Sequence, residues 1–202
     1  ALLMNTSLLR YGGDLAVGAY GIVNSILMLV LMVVLGLNQG TQPIIGYNYG
    51  AGNYHRVRET LFYALRMATL FTTAGFILGQ FFPQLLASAF TTDEELLEIS
   101  STGLRIAMLA LPLVGFQIVS SNFFQSIGFA VKSIIQSLSR QLIFMVPGII
   151  LLPRIWGLKG LWIAIPVSDT LAAMLSLYLL VIQLRHLKRM EQDQLKIDLR
   201  HD

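Results

Sequence analysis

The sequence predicts an all-α membrane protein, an antiparallel bundle of about five complete transmembrane helices plus a partial one. Three observations predict it. The chain of 202 residues is 55% hydrophobic and only 12% charged, whereas soluble domains carry roughly 25% charged residues. So few charges cannot cover a water-facing surface, and a mean hydropathy of +0.68 agrees. Five apolar stretches reach the ~20 residues needed to cross a hydrocarbon core. No stretch sustains the two-residue alternation that marks the strands of a membrane barrel.

The elements follow in order. Residues 1–9 read as the tail end of a helix. Because the chain opens with Ala1 inside this apolar run, and not with a basic segment and cleavage site, a fragment with an upstream part is expected. The first complete span covers about 17–46 and is centred on Ile22 to Leu37. The second covers about 58–82 and stops at Pro83, whose ring interrupts the helical ladder. The third covers about 100–128, the fourth about 134–153 and the fifth about 158–184. Short connectors make successive helices antiparallel. Residues 1–184 thus form one transmembrane unit, and 185–202 form a cytoplasmic tail of mixed charge that extends the last helix.

Lys and Arg favour the cytoplasmic side of short loops. Alternate connectors divide into one side with nine basic residues (Arg56, Arg58, Lys132, Arg140, Arg185, Lys188, Arg189, Lys196, Arg200) and one with four (Arg10, Arg105, Arg154, Lys159). Arg66 falls inside a span and is not counted. The bias places the C-terminus in the cytoplasm and the acidic connector Asp93, Glu94, Glu95 and Glu98 outside.

Several function classes are excluded. The net charge is only +3, with no dense basic face for nucleic acid. Cysteine is absent, which removes disulfides and thiolate ligands. His55, His186 and His201 are too far apart in sequence to suggest a metal site. No catalytic set of nucleophile, base and acid is visible, and no phosphate-binding glycine loop, so neither an enzyme nor a bound cofactor is expected.

Polar residues inside spans are costly, so their spacing is informative. Asn24, Met28, Leu31, Leu35, Asn38 and Gln42 recur at steps of three and four and share one helical face. Gln117, Ser121 and Gln125 do the same in the third span, and Thr69, Thr73 and Gln80 more weakly in the second. Two readings stay open: a polar cavity, or hydrogen bonds between helices worth about 0.6 kcal/mol each. Asn38, Gln42, Gln117, Ser121 and Gln125 are the candidate cavity residues.

Asp169 is the sole carboxylate well inside a span, and Pro166 frees the carbonyl of Trp162 one turn before it. A buried acid can exchange a proton or hold a cation, or it can anchor its helix by hydrogen bonds; the sequence shows no cationic partner. Gly36 and Gly40, Gly46 and Gly50, and Gly75 and Gly79 form GxxxG pairs that allow close helix approach. Gly46, Gly50 and Gly52 border a helix-to-loop segment that needs backbone freedom.

The segment Gly40–Val57, GTQPIIGYNYGAGNYHRV, resembles the signature after the second helix of a lobe in the multidrug and toxic compound extrusion (MATE) family. LPLVGFQIVSSNFFQSIG (Leu111–Gly128) and GLKGLWIAIPVSDTLAAMLS (Gly157–Ser176) resemble the C-terminal lobe of the same family, closest to its staphylococcal-type bacterial branch. The resemblance covers nearly the whole chain. It implies a bacterial plasma-membrane antiporter of two six-helix lobes, exchanging lipophilic or cationic drugs for Na+ or H+ by alternating access. This chain would supply the end of helix 7 and helices 8 to 12, with membrane lipid, small-molecule drugs and the N-terminal lobe as its partners. The family's best-supported cation site would lie in that other lobe, and the helix-10 acid of some members has no counterpart between Thr102 and Gly128. Two rivals remain. A flippase for lipid-linked sugars needs a basic cavity, for which Arg66 is the one mid-span candidate. A non-transporting scaffold subunit would not need aligned intramembrane amides.

Overall fold

The computed structural model describes residues 2–198. All regular structure among the described residues is helical: α1 (Leu2–Gly50), α2 (Tyr54–Phe81), α3 (Pro83–Ser88), α4 (Glu94–Ala107), α5 (Leu111–Ser126), α6 (Ala130–Leu138) and α7 (Val146–Asp198). Four continuous helical stretches are long and apolar enough to cross a membrane: 2–50, 54–81, 94–126 and 130–193. The first and last are each interrupted by a glycine with positive φ, Gly13 at +67° and Gly157 at +55°, a conformation that side chains with a Cβ disfavour.

Gly157 turns the last stretch into an antiparallel hairpin. A Cβ built on Gly148 would meet Ala164 and Ser168, Arg140 reaches Asp169, and Lys132 reaches Gln183. The paired residues lie progressively farther from the glycine on both sides. Gly160 completes the turn, since a Cβ there would collide with the backbone of Leu152 and Pro153. The helix then continues to Asp198, while Leu199–Asp202 of the expected tail lie outside the described residues.

Two spans expected as regular helices are broken. In the third, a 3-10 turn at Met108–Ala110 separates α4 from α5. Pro112 in the first turn of α5 explains it, because it cannot donate to the carbonyl of Met108. In the fourth, α6 widens into a π-helical segment at Ser139–Met145 before α7 begins. That segment itself contains neither Gly nor Pro, but Pro147 follows at the start of α7 and cannot donate to the carbonyl of Ile143.

Burial divides into two apolar clusters at opposite ends of the bundle. One gathers Ala16, Leu104, Leu111, Leu161 and Trp162, with Leu86, Leu96 and Leu158 packed against it. Close packing there needs a missing side chain: a Cβ on Gly103 would stand 2.7 Å from the Trp162 ring. The other cluster gathers Ile45, Val57, Leu61, Phe123, Phe124, Ile127 and Leu187. At this second end Arg58 donates to Glu191 at 2.6 Å, tying the start of α2 to the extension of α7. Burying each such Leu, Ile or Phe contributes about 1.5–3 kcal/mol relative to water. Large apolar residues such as Leu29, Met32, Leu70, Phe71, Leu142 and Ile143 stay exposed on the flanks, as a lipid-facing surface requires.

Candidate functional site

The polar stripe of α1 faces inward toward α5 and the π-helical segment. Leu35, Asn38, Gln39 and Gln42 from α1, Gln117, Ser121, Asn122 and Gln125 from α5, and Ser133, Ser137, Arg140 and Gln141 line one cavity of about 390 Å³. The structure therefore brings together Asn38, Gln42, Gln117, Ser121 and Gln125. The upper part of the stripe, Asn24, Met28 and Leu31, lines a second cavity of about 300 Å³ with Tyr20, Met145 and Ile165. Arg140 and Gln141 border both cavities.

Local chemistry explains why this face is polar. Pro43 lacks an N–H, so the carbonyl of Gln39 has no partner one turn earlier, beside the cavity. Asn122 donates its Nδ2 to the Asn38 carbonyl at 3.3 Å, joining α5 to α1. Ser121 and Ser133 share a hydrogen bond at 3.0 Å, joining α5 to α6. Other polar atoms are left without partners: Asn38 Oδ1 and Gln117 Oε1 are buried acceptors that no group among the described residues satisfies. Leaving a buried polar atom unpaired costs about 1–3 kcal/mol, so both acceptors favour a donor entering from the cavity. Gln117 is only 4% exposed, whereas Gln125 is exposed on the rim.

The charged centre of the site is a pair that sequence reasoning did not find. Arg140 Nε donates to Asp169 Oδ1 at 2.7 Å, with the carboxylate side chain 6% exposed and the guanidinium 34% exposed. This corrects three expectations. Asp169 has a cationic partner. Arg140 belongs to no connector, so it leaves the basic side of the topology count at eight against four. Arg66 is not the one mid-span cation, because Arg140 lines the cavity while Arg66 stands exposed on α2. The pair escaped the sequence because 29 residues separate the partners, and only the hairpin and the π-helical turn bring them together.

Other candidates separate from the site. Thr69 and Thr73 line an outward-facing groove with Arg66, and Gln80 donates to the Arg105 carbonyl at 2.7 Å. The buried threonine of α2 is Thr72, which donates back to the Ala68 carbonyl and touches the Gly115 position on α5. Among the connector glycines, Gly52 has φ +76° and a Cβ on Gly46 would lie 3.2 Å from the Ser126 carbonyl. Gly50 does not share that closeness: a Cβ there, or on Gly36 or Gly40, meets nothing within 4 Å. Of the GxxxG pairs, Gly75–Gly79 is the tightly packed one, against Val30, Leu111 and Met108. Among the described residues, no three His, Asp or Glu side chains converge as metal ligands.

Comparison with known proteins adds an independent line. The MatE family model matches residues 1–150. A FAD transporter of Shewanella oneidensis is 31% identical over 164 residues, covering 81% of this chain and 36% of that protein. The multidrug export protein MepA of Staphylococcus aureus is 26% identical over 191 residues, covering 89% of this chain and 40% of that protein. Among solved structures, the MATE multidrug transporter DinF-BH is 42% identical with a TM-score of 0.77, covering 88% of this chain and 40% of that one. The chain thus spans about two fifths of the length of the relatives it matches.

Proposed function

The chain belongs to the MatE family, and from that premise we propose that it is one lobe of a secondary-active exporter working by alternating access. Its relatives are transporters and its helices are those of a multi-pass membrane protein. The observation that carries the reading is the amide-lined cavity. Seven amide side chains and three serines surround it, with Leu35 and Ile118 as apolar walls. A volume of about 390 Å³ lies within the roughly 300–1,000 Å³ of small-molecule sites, where a few polar groups orient a ligand against apolar surface. A second lobe closing over this face would complete the enclosure. On this reading the transported compound is a drug-like lipophile, and the coupling ion, Na+ or H+, is bound by the other lobe.

A second reading concerns what the cavity accepts. Among the described residues, Arg140 is the one ionisable side chain lining the cavity, and no carboxylate lines it. Its Nε is held by Asp169, which leaves the remaining guanidinium donors for a ligand. Such a cavity suits a ligand with phosphate, carboxylate or carbonyl acceptors, and the relative named as a FAD transporter fits that chemistry. A lipid-linked sugar flippase would need more positive charge than one arginine already paired with an acid. The scaffold reading leaves the unpaired acceptors on Asn38 and Gln117 without purpose.

The test is transport by the full-length protein in an exporter-deficient strain, measured as ethidium efflux and as flavin export from the same cells. Efflux of either compound that falls several-fold in Gln117→Leu, at equal membrane abundance, supports the cavity as the site. No export of either by the unmodified protein would sink the reading.

A further inference from the structure

A separate pocket of about 410 Å³ opens at the end of the bundle that carries the Arg58–Glu191 pair. It lies between the start of α6 and the extension of α7, and shares no lining residue with the amide-lined cavity. Phe129, Lys132, Ile182, Gln183, Arg185, His186 and Arg189 form its wall. Four of these seven carry basic nitrogens, and none is acidic. Glu191, the next acid along α7, is already engaged by Arg58 at 2.6 Å.

The sequence places the donors here for identifiable reasons. Gly128, with φ +83°, turns the chain after α5, so that α6 starts at Ala130 beside α7. Phe129 occupies the N-cap position and makes no side-chain cap; its carbonyl accepts from the Lys132 and Ser133 amides at 3.0 and 3.3 Å, and the two amides before them, of Ala130 and Val131, have no carbonyl to reach within the helix. Helix N-termini carry partial positive charge and favour anions. Lys132, in this first turn, is fixed on three sides. Its Nζ donates to Gln183 Oε1 at 2.8 Å, and it stands 4.6 Å from the Phe129 ring centre and 5.3 Å from that of Phe124. Gln183 is only 2% exposed, and its Nε2 has no hydrogen-bond partner. A buried amide committed to holding a lysine, with its own donor unpaired, marks a site and not a solvated charge run. Arg185 and Arg189 stand one turn apart on α7 and complete the ring of donors.

We propose that this pocket binds a phosphate-bearing anion at the membrane surface, with Lys132 as the fixed contact and Arg185 and Arg189 as the mobile ones. Basic pockets between helices at the bilayer boundary suit phospholipid headgroups, and the neighbouring Ile182 and Phe129 give acyl chains an apolar flank. A soluble phosphate ester offers the same oxygens without the chains.

The test uses the full-length protein in detergent, titrated with short-chain phosphatidylglycerol, short-chain phosphatidylcholine and inorganic phosphate, with thermal stability as readout. Phosphatidylglycerol should stabilise it, and phosphatidylcholine should not. Removing two charges in Lys132→Gln/Arg189→Gln should weaken the phosphatidylglycerol midpoint roughly thirtyfold, at about one charge contribution each. Inorganic phosphate matching the lipid would assign the site to a soluble ester; lipid alone acting would assign it to the headgroup. Because the double variant could fail to fold, a second readout uses the unmodified protein: acylation of Lys132 by an amine reagent, followed by mass spectrometry, should slow several-fold when the anion is bound. Equal effects of the two lipids with no effect of phosphate, or Lys132 labelling unchanged by every anion, would overturn the proposal.

Discussion

Arg140 and Asp169 meet at 2.7 Å between the π-helical turn and the middle of α7, with the acid nearly sealed and the guanidinium open to the cavity. The π-helix adds a residue to the turn and re-aims its side chains, which brings a cation to the one mid-span carboxylate of the lobe. A lone buried acid would be costly; a paired one joins two helices.

Breaking that pair should therefore be severe. Asp169→Asn leaves the guanidinium without its counter-charge, and a disrupted buried pair typically costs 3–5 kcal/mol. Arg140 is partly exposed to the cavity, so a loss near the lower bound, about 3 kcal/mol, is expected here. Arg140→Gln/Asp169→Asn should recover much of the loss, because two neutral amides can still hydrogen-bond. The fraction of monodisperse protein on size exclusion, compared across single and double variants, measures the coupling. Strictly additive losses would show that the two groups act independently.

The glycines make a sharper contrast. A methyl at Gly103 would stand 2.7 Å from Trp162 ring carbons, and overpacking of this kind costs about 1–3 kcal/mol. Gly50→Ala meets open space and should change stability by no more than about 0.5 kcal/mol. Thermal unfolding of Gly103→Ala and Gly50→Ala side by side checks this, and equal stability of the two would contradict the packing shown for Trp162.

Accessibility of the cavity can be read directly, since the chain has no cysteine of its own. Cysteine at position 125 should react quickly with a water-soluble thiol reagent, because Gln125 lies on the exposed rim. Cysteine at 117, a position 4% exposed, should react slowly, and bound substrate should protect both. Absence of labelling at both positions would make these amides interhelical links.

The topology is testable by reporters. A fusion after Asp202 should report from the cytoplasm, and an insertion at Thr92, beside the acidic N-cap Asp93 of α4, should report from outside. Eight basic residues against four still support this side. The reverse pattern would mean that the charge bias misleads for this chain.

Much of this protein is legible in its sequence because its signals are local. Hydropathy depends on each residue's own transfer energy, so the all-α membrane class follows directly from composition and run length. The helical period is a property of the backbone, and it placed Asn38, Gln42 and Leu35 on one face of α1, and Gln117, Ser121 and Gln125 on one face of α5, before any fold was known. The same reasoning misplaced Thr69 and Thr73, because a period shows which residues share a face and not what that face meets. What lay opposite each stripe depended on neighbours distant in the chain, whereas the break at Met108–Ala110 and the widening at Ser139–Met145 each stand just before a proline, Pro112 and Pro147. Arg140 shows the division most clearly. Its charge is written in the sequence, but its partner is set by a hairpin at Gly157 and a π-helical turn, and neither a residue's hydropathy nor its spacing encodes which helix will fold back to meet it.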